Sequence, residues 1–287
     1  MRRVLLGLFL IAVVGCLSAC GGAVKSTLDP VAAAATKSQQ AGGFLVTTSV
    51  TVSAGGREFT MTGSGLFGDG KGQMNLDMSD LLNQAGVAAG TDATIKAIYV
   101  TEDGDPVMYM KLGFLSAFMP GGKTWVRVDL AKAGKAAGID FNQLLGGADQ
   151  SPGDSLALLR SSGEFSEIGK ETVDGVETTH YHGTIDLQKA VAAKGAAAEA
   201  LQRLIDLGAP AQYPADVWID EAGLVRQVKT SYDMSTGGKQ MSVSMTMGMS
   251  DYGTPVEVSA PPADQVFDAT DLAAKGVASQ LNKGPTA

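Results

Sequence analysis

The sequence predicts an α+β protein built on one large antiparallel β-sheet, and three observations lead to this class. Between residues 44 and 260 the dominant hydrophobic period is two, as in strands whose side chains alternate between two faces. Glycine-rich turns of hairpin length separate the alternating segments. Only a few stretches have a helical pattern. We therefore expect about 11 strands, with the helices lying across the apolar face of the sheet.

The predicted strands alternate apolar and polar residues. In the clearest one, Met241–Met249, every odd position is apolar and every even position is Ser, Thr or Gly. One-sided alternation indicates a sheet with one covered face and one wet face. The other strands start at Phe44, Phe59 and Met74 or span Ile95–Thr101, Val107–Leu112, Thr124–Asp129, Phe165–Thr172, Val176–Asp186, Ala215–Asp220 and Leu224–Met234.

Short turns join these strands in pairs. They contain the Gly and Asp residues that tolerate the positive φ angles of tight hairpins. The predicted turns are Ala54-Gly55-Gly56, Gly68-Asp69-Gly70, Asp103-Gly104-Asp105, Asp174-Gly175, Glu221-Ala222-Gly223 and Thr236-Gly237-Gly238.

Helices are expected before, within and after the strand region. The longest is Leu187–Leu207, which Gly195 weakens because glycine disfavours helix interiors. Asp154 fits the N-cap of another short helix. The remaining helical stretches are Val31–Gln40, Ser79–Gln84, Phe114–Met119, Asp154–Ser161 and Leu272–Leu281.

The N-terminus has the pattern of a lipoprotein signal peptide. Arg2 and Arg3 precede the uncharged run Val4–Val14, which is shorter than the roughly 20 residues of a spanning helix. Leu17-Ser-Ala-Cys20 is a lipobox, whose thiol accepts a diacylglycerol. We expect residues 1–19 to be removed and Cys20 to hold the chain at the outer face of a membrane. The alternatives are a weaker lipobox ending at Cys16 and a plain signal peptide with an incidental Cys.

Net charge and cysteine content limit the kinds of ligand that the protein can bind and the ways in which its fold can be stabilised. The net charge is −8, and loss of the two arginines with residues 1–19 gives −10. An acidic chain is a poor candidate for binding nucleic acid. Cleavage and lipidation consume both cysteines, so the fold must rely on its core rather than on a disulfide. We divide the chain into a signal peptide (1–19), a lipidated Cys and tether (20–43), one domain (44–260) and a C-terminal tail (261–287).

Two short motifs imitate catalytic or cofactor sites. Gly63-Ser-Gly-Leu-Phe-Gly68 matches a dinucleotide-binding pattern, but an alternating strand follows where that site needs a helix. It is interpreted as a glycine-rich hairpin. Gly153-Asp-Ser-Leu156 matches a lipase signature, yet the chain lacks the downstream Asp-x-x-His that would activate Ser155. We therefore expect no catalytic residues, no cofactor and no enzymatic activity.

His180 and His182 are the histidines of the chain, and they share one face of a predicted strand. Two imidazoles could bind a metal ion, but a third ligand is not apparent, and Glu177 points to the other face. Surface histidines beside Thr178 and Thr184 are the preferred interpretation, and no metal site is expected.

Methionine usage is unusual. Most methionines occupy alternating strand positions, with few aromatic residues beside them. Methionine is flexible and suits apolar surfaces that accept varied partners. The alternation fits a soft cavity and ordinary core packing equally well. The candidate cavity-lining residues are Met61, Met74, Met78, Met108, Met110, Met241, Val243, Met245, Met247 and Met249.

Several segments carry a family resemblance that covers nearly the whole chain after the signal peptide, in order. They are Gly175–Gly183 (GVETTHYHG), Pro214–Asp220 (PADVWID), Gly223–Arg226 (GLVR), Ser250–Val258 (SDYGTPVEV), Ala260-Pro261-Pro262 and Lys123–Asp129 (KTWVRVD). These segments resemble cell-envelope lipoproteins of the LppX/LprG type, which share the LolA-like fold.

The resemblance implies a half-barrel sheet with helices across its concave face and a hydrophobic cavity for lipid or lipidated glycan. It implies lipid transport or presentation by a membrane-anchored protein, together with an envelope transporter or regulator as partner. The alternative is a membrane-tethered sensor or interaction module that uses the same fold to bind another envelope protein.

Overall fold

The computed structural model describes residues 29–87, 90–114, 119–136, 163–192, 198, 201–202, 205, 210–236 and 239–281. They form an open, curved, twelve-stranded sheet with a few helices, so the predicted α+β class is confirmed, with one strand more than expected. The strands are β1 (Phe44–Ala54), β2 (Arg57–Gly68), β3 (Lys71–Asp77), β4 (Thr94–Glu102), β5 (Asp105–Leu112), β6 (Trp125–Asp129), β7 (Gly163–Val173), β8 (Val176–Asp186), β9 (Gln212–Asp220), β10 (Val225–Thr236), β11 (Lys239–Ser250) and β12 (Val266–Asp268).

The described helices are short. They are α1 (Pro30–Gln40), α2 (Ser79–Gln84), α3 (Leu130–Ala136), α4 (Leu187–Ala192) and α5 (Thr270–Leu281), with 3-10 turns at Pro120–Gly122 and Ala263–Gln265. None of the helices in the described ranges combines the length and apolar character needed to cross a bilayer. The predicted segments Phe114–Met119, Asp154–Ser161 and the second half of Leu187–Leu207 lie wholly or partly outside the described residues, as do Gly237-Gly238 and the signal peptide.

The sheet runs in the order β12-β6-β5-β4-β3-β2-β1-β11-β10-β9-β8-β7. Two meanders, β1–β6 and β7–β11, join where β1 pairs with β11. The pairing is antiparallel except at the short β12, which lies parallel to β6. That strand falls in the segment expected to be a tail, and α5 behind it contacts α3. The sequence contains only three strand residues there, too few for a period of two to be recognised.

The hairpin turns have the geometry that their sequences predict. Asp69 and Gly70 have φ angles of 52° and 69°. Asp103-Gly104 and Asp174-Gly175 repeat this pair of positive angles. Such turns match the twist of the strands that they join, which is why each fixes the register of its hairpin.

Helix α1 covers one end of the sheet. The Asp29 side chain accepts a hydrogen bond of 2.9 Å from the Val31 amide and caps the helix. Val31, Ala34, Ala35 and Ser38 form its buried stripe. The stripe packs against a core that includes Phe44, Val46, Val217 and Val225.

A second, smaller core lies on the opposite face of the sheet, at β4 and β5. Val100, Val107 and Tyr109 are buried there beneath Val258 and Val266 from the chain that follows β11. The expectation of one covered and one wet face therefore describes β1, β2 and β11 but not this end of the sheet.

Candidate functional site

Nine of the ten candidate lining residues share one face of the sheet, which we call the methionine face. Residues opposite one another in neighbouring strands point to the same side, as do alternate residues along a strand. The strand registers place nine of the ten predicted residues on this face: Met61, Met74, Met108, Met110, Met241, Val243, Met245, Met247 and Met249. Met78 lies just beyond β3, at the start of α2.

The registers also connect residues that are far apart in sequence. One transverse row across six strands reads Met110, Ala97, Met74, Gly65, Val46 and Met249. The next row but one crosses Met61, Val50, Met245, Thr230 and Ala215. Alternation within single strands could not reveal these neighbours, because register depends on turn and pairing geometry.

The methionine face is sealed at one end and half-open at the other. Beneath α1, Val46 is fully buried and Met249 is 3% exposed. Towards the hairpin tip of β1 and β2, the side chains of Met61, Met245 and Met241 are only half-buried. Apolar side chains thus remain accessible at the end that α1 does not cover.

Glycines replace larger side chains on the methionine face where β2 pairs with β3. A Cβ atom on Gly72 would lie 2.0 Å from Cδ1 of Phe67, and one on Gly65 would lie 2.8 Å from Cε2 of the same ring. The Phe67 ring therefore occupies the space that a side chain would take at Gly72, whereas at Gly65 the Gln73 carbonyl oxygen is closer still, at 2.4 Å. Sequence reasoning did not include Phe67 among the lining residues, although Phe67 follows the same alternation along β2 as Met61.

The opposite face of the central strands is made of small hydroxyl side chains. We call it the hydroxyl face, and it contains Thr47, Ser49, Thr51, Thr60, Thr62, Ser64, Ser242, Ser244 and Thr246. Thr51 and Thr60 are hydrogen-bonded at 3.0 Å. The two faces of the same strands therefore differ sharply in polarity, which sets the side on which an apolar ligand would bind.

Clefts formed by the described residues alone are open. One of about 600 Å³ lies at the tip of the β1–β2 hairpin, lined by Ser53, Ala54, Gly55, Gly56, Arg57, Glu58 and Gln240. Unlike the rows through Met74 and Met245, its lining includes the charged residues Arg57 and Glu58. The predicted enclosed lipid cavity stays a prediction.

The two histidines belong to a hydrogen-bonded cluster on the hydroxyl side of β7, β8 and β9. The ring nitrogens of His180 lie 2.9 Å from Glu171 Oε1 and 2.9 Å from Asp216 Oδ1. His182 Nδ1 lies 2.8 Å from the same Asp216 oxygen, and Trp218 Nε1 donates to Glu171 Oε2 at 2.9 Å. A neutral imidazole has one N–H, so only a doubly protonated His180 donates both of its bonds.

The contacts of this cluster shift the pKa values of its two carboxylates, Glu171 and Asp216. Hydrogen bonds from Trp218 and His180 lower the pKa of Glu171. Desolvation pushes the pKa of Asp216 upward, but the hydrogen bonds from His182 and His180 outweigh it and the net pKa is lowered. The arrangement ties the edge strand β7 to β9 across β8.

Sequence reasoning placed both histidines on one face but missed Asp216 and Glu171, their partners on neighbouring strands. In the part of the chain that the structure describes, no group of three or more His, Cys, Asp and Glu side chains is arranged to hold a metal ion. The hydrogen bonds of the histidine cluster join side chains of β7, β8 and β9.

The glycine motif has a structural role. Gly63, Gly65 and Gly68 lie within β2, and the tight turn at Asp69-Gly70 leads directly into β3. The motif therefore lies in a hairpin in which β3 follows β2, as its interpretation as a glycine-rich hairpin predicts. Ser155 lies outside the described residues.

Comparisons with known proteins find two Streptomyces proteins that are similar to part of the chain. No protein-family model matches it. A Streptomyces griseus protein described as uncharacterized is 30% identical over 210 residues, which are 70% of this chain and 64% of that protein. A Streptomyces coelicolor protein designated a candidate lipoprotein is 28% identical over 169 residues, 58% of this chain and 50% of its own. The chain thus spans less than two thirds of either relative.

Among solved structures, LprF from Mycobacterium bovis has 14% identity and a TM-score of 0.43, covering 85% of this chain and all of LprF. LppX from Mycobacterium tuberculosis has 17% identity and a TM-score of 0.40, covering 83% of this chain and all of LppX. At this identity the likeness concerns the fold, and no ligand is carried over from it.

Proposed function

We propose that the protein is a membrane-anchored envelope lipoprotein that binds the acyl chains of a lipid or lipidated glycan on the methionine face and carries or presents it. The observation that supports this most directly is the register of the sheet. It gathers methionines from β2, β3, β5 and β11 on one mainly apolar face, which also contains Thr48 and Thr230 and which α1 covers only in part.

The energetics of this face suit an acyl chain. The row from Met110 through Met74 to Met249, on β5 to β1 and β11, contains no charged side chain. The row from Met61 through Met245 to Ala215, on β2, β1, β11, β10 and β9, contains none either. Burying an acyl chain there contributes about 0.8 kcal/mol per methylene removed from water. Flexible methionines accommodate chains of different length and unsaturation with little strain.

The anchor supports the same function. A lipid on Cys20 would keep the methionine face near the membrane, which raises the effective concentration of membrane lipids around it. We expect the transfer partner to be another component of the envelope, and no nucleic acid or cofactor to take part.

Neighbouring residues on β11 provide a matched test. Met245 lies on the methionine face and Thr246 on the hydroxyl face. In a soluble form starting at residue 21, which retains every described element, Met245→Asp should abolish binding of a fluorescent acyl-chain probe. Thr246→Asp should leave it nearly unchanged, and thermal unfolding of both variants reports whether they fold.

Native mass spectrometry of the same soluble form, expressed in a bacterium, provides the direct observation. Copurifying lipid that dissociates from the wild type and is missing from folded Met245→Asp supports the proposal. A lipid-free protein that does not take up the probe contradicts it and favours the tethered interaction module.

A further inference from the structure

Two tyrosines lie side by side on the methionine face, on neighbouring strands. Tyr213 on β9 pairs with Ile185, and Tyr232 on β10 pairs with Val243. Their ring centroids are 5.6 Å apart, and the ring planes are inclined by 53°. The pair stands next to the half-open rows of the face, because Val243 and Val52 follow Tyr232 in one row.

The hydroxyl groups of this pair are available for a ligand. Neither makes a hydrogen bond to any residue within the described parts of the chain, although tyrosine hydroxyls usually find a partner when buried. Burial raises the pKa of Tyr213 to about 12. The phenol therefore stays protonated and can donate a hydrogen bond at physiological pH.

The surroundings determine which chemical group the pair can recognise. From Tyr232 the row continues through Val243 and Val52 to Phe59, and from Thr230 the adjacent row continues through Met245. None of the described residues in these two rows is charged, and Arg57, on the same face, lies one row further at the exposed tip of the β1–β2 hairpin. A carboxylate or phosphate placed beside the phenols would be desolvated without a cation from these rows. An uncharged oxygen acceptor pays a much smaller cost and accepts the same hydrogen bonds.

We propose that Tyr213 and Tyr232 are specificity-determining residues that donate hydrogen bonds to the ester carbonyl oxygens of an acylglycerol whose chains lie on the methionine face. This inference rests on the proposed function and names the part of the ligand that the site reads. It selects neutral, ester-linked lipids over ether-linked lipids and over free fatty acids.

Three probes test this selection in the soluble form described above: dioleoylglycerol, the corresponding dialkyl glyceryl ether, and oleate. Each displaces a fluorescent acyl-chain probe in a titration. Two hydrogen bonds predict that the wild type binds the ester about 10- to 30-fold more tightly than the ether. The double variant Tyr213→Phe/Tyr232→Phe keeps both rings, so it should bind the two alike and retain its affinity for the ether.

Tyr181 provides the matched control. It lies on the methionine face of β8, opposite Val217 and Glu167, and packs against the core beneath α1. Tyr181→Phe should keep the preference for the ester. A preference that survives in the double variant, or that is lost equally in Tyr181→Phe, overturns the assignment of the pair. A folded wild type that binds none of the three probes instead overturns the proposed function itself.

Discussion

The His180 imidazole stacks on the Trp218 indole, with ring centroids 4.3 Å apart and planes inclined by 14°. The stack holds both groups against Glu171, which accepts a hydrogen bond from each. One carboxylate on the edge strand β7 is thereby bound to side chains from β8 and β9.

This cluster predicts a specific pH dependence. The contacts lower the pKa values of Glu171 and Asp216 from their ordinary values of 4.5 and 3.8. The stabilisation is therefore present above these ordinary values and is lost as pH falls through the lowered folded-state values. His180→Phe keeps an aromatic ring on Trp218 but removes both hydrogen bonds, so the stability gap to the wild type should narrow as pH falls from 6 to 3.

Urea unfolding at several pH values measures this gap. His182→Phe is the matched control, since among the described residues the His182 ring is hydrogen-bonded to Asp216 and not to Glu171. It should show the same trend with a smaller amplitude. A gap that stays constant across the pH range would contradict the role assigned to the carboxylates.

Ser38 predicts a loss of stability at the α1 contact. Its side chain is fully buried, and its Oγ accepts a hydrogen bond of 2.9 Å from the Val225 amide. Ser38→Ala leaves that buried amide without its partner and should lower the free energy of unfolding by about 1–3 kcal/mol. Thr36→Ala on the same helix removes only a bond to the Ala32 carbonyl and should cost less. If chemical denaturation shows that both variants lose the same free energy of unfolding, the hydrogen bond between Ser38 and the Val225 amide does not stabilise the fold as proposed.

Gly72 predicts a steric conflict. Gly72→Ala places a methyl group in the space of the Phe67 ring, and overpacking of this kind costs about 1–3 kcal/mol. Adding Phe67→Leu should recover part of the lost stability, since the smaller side chain leaves room. The double-mutant cycle would exclude the contact if the two changes were simply additive in the free energy of unfolding.

We predict that the lipid anchor is attached to Cys20. Cys20→Ser should move the protein from the membrane fraction to the soluble fraction, because stable anchoring needs the two chains of the diacylglycerol. Cys16→Ser should remain at the membrane. Mass spectrometry of the mature N-terminus should find the lipid on Cys20, and the opposite behaviour of the two variants would assign the lipid to Cys16.

We predict that Ser155 does not act as a nucleophile in ester hydrolysis. Against a panel of short- and long-chain esters, the wild type and Ser155→Ala should hydrolyse each substrate at the same background rate. Hydrolysis that disappears with Ser155→Ala would reveal a nucleophile whose base the sequence does not disclose.

The sequence allowed most of the sheet to be predicted, because strands such as Val176–Asp186 carry both a clear period and a clear turn. It could not show that Met74 and Met249 share a row, since neither their register nor the β1–β11 pairing is encoded locally. The partners of His180 were missed for the same reason: Asp216 is 36 residues away. β12 was missed because a three-residue strand has no readable pattern.

The ring of Phe67 lying over Gly65 and Gly72 has a consequence for related sequences. The ring fills the volume that Gly72 leaves vacant, so a change at position 67 or position 72 constrains the other. A relative with a side chain at position 72 should carry a smaller residue at position 67. Covariation of positions 67 and 72 among relatives would then show how the packing between β2 and β3 has changed during evolution.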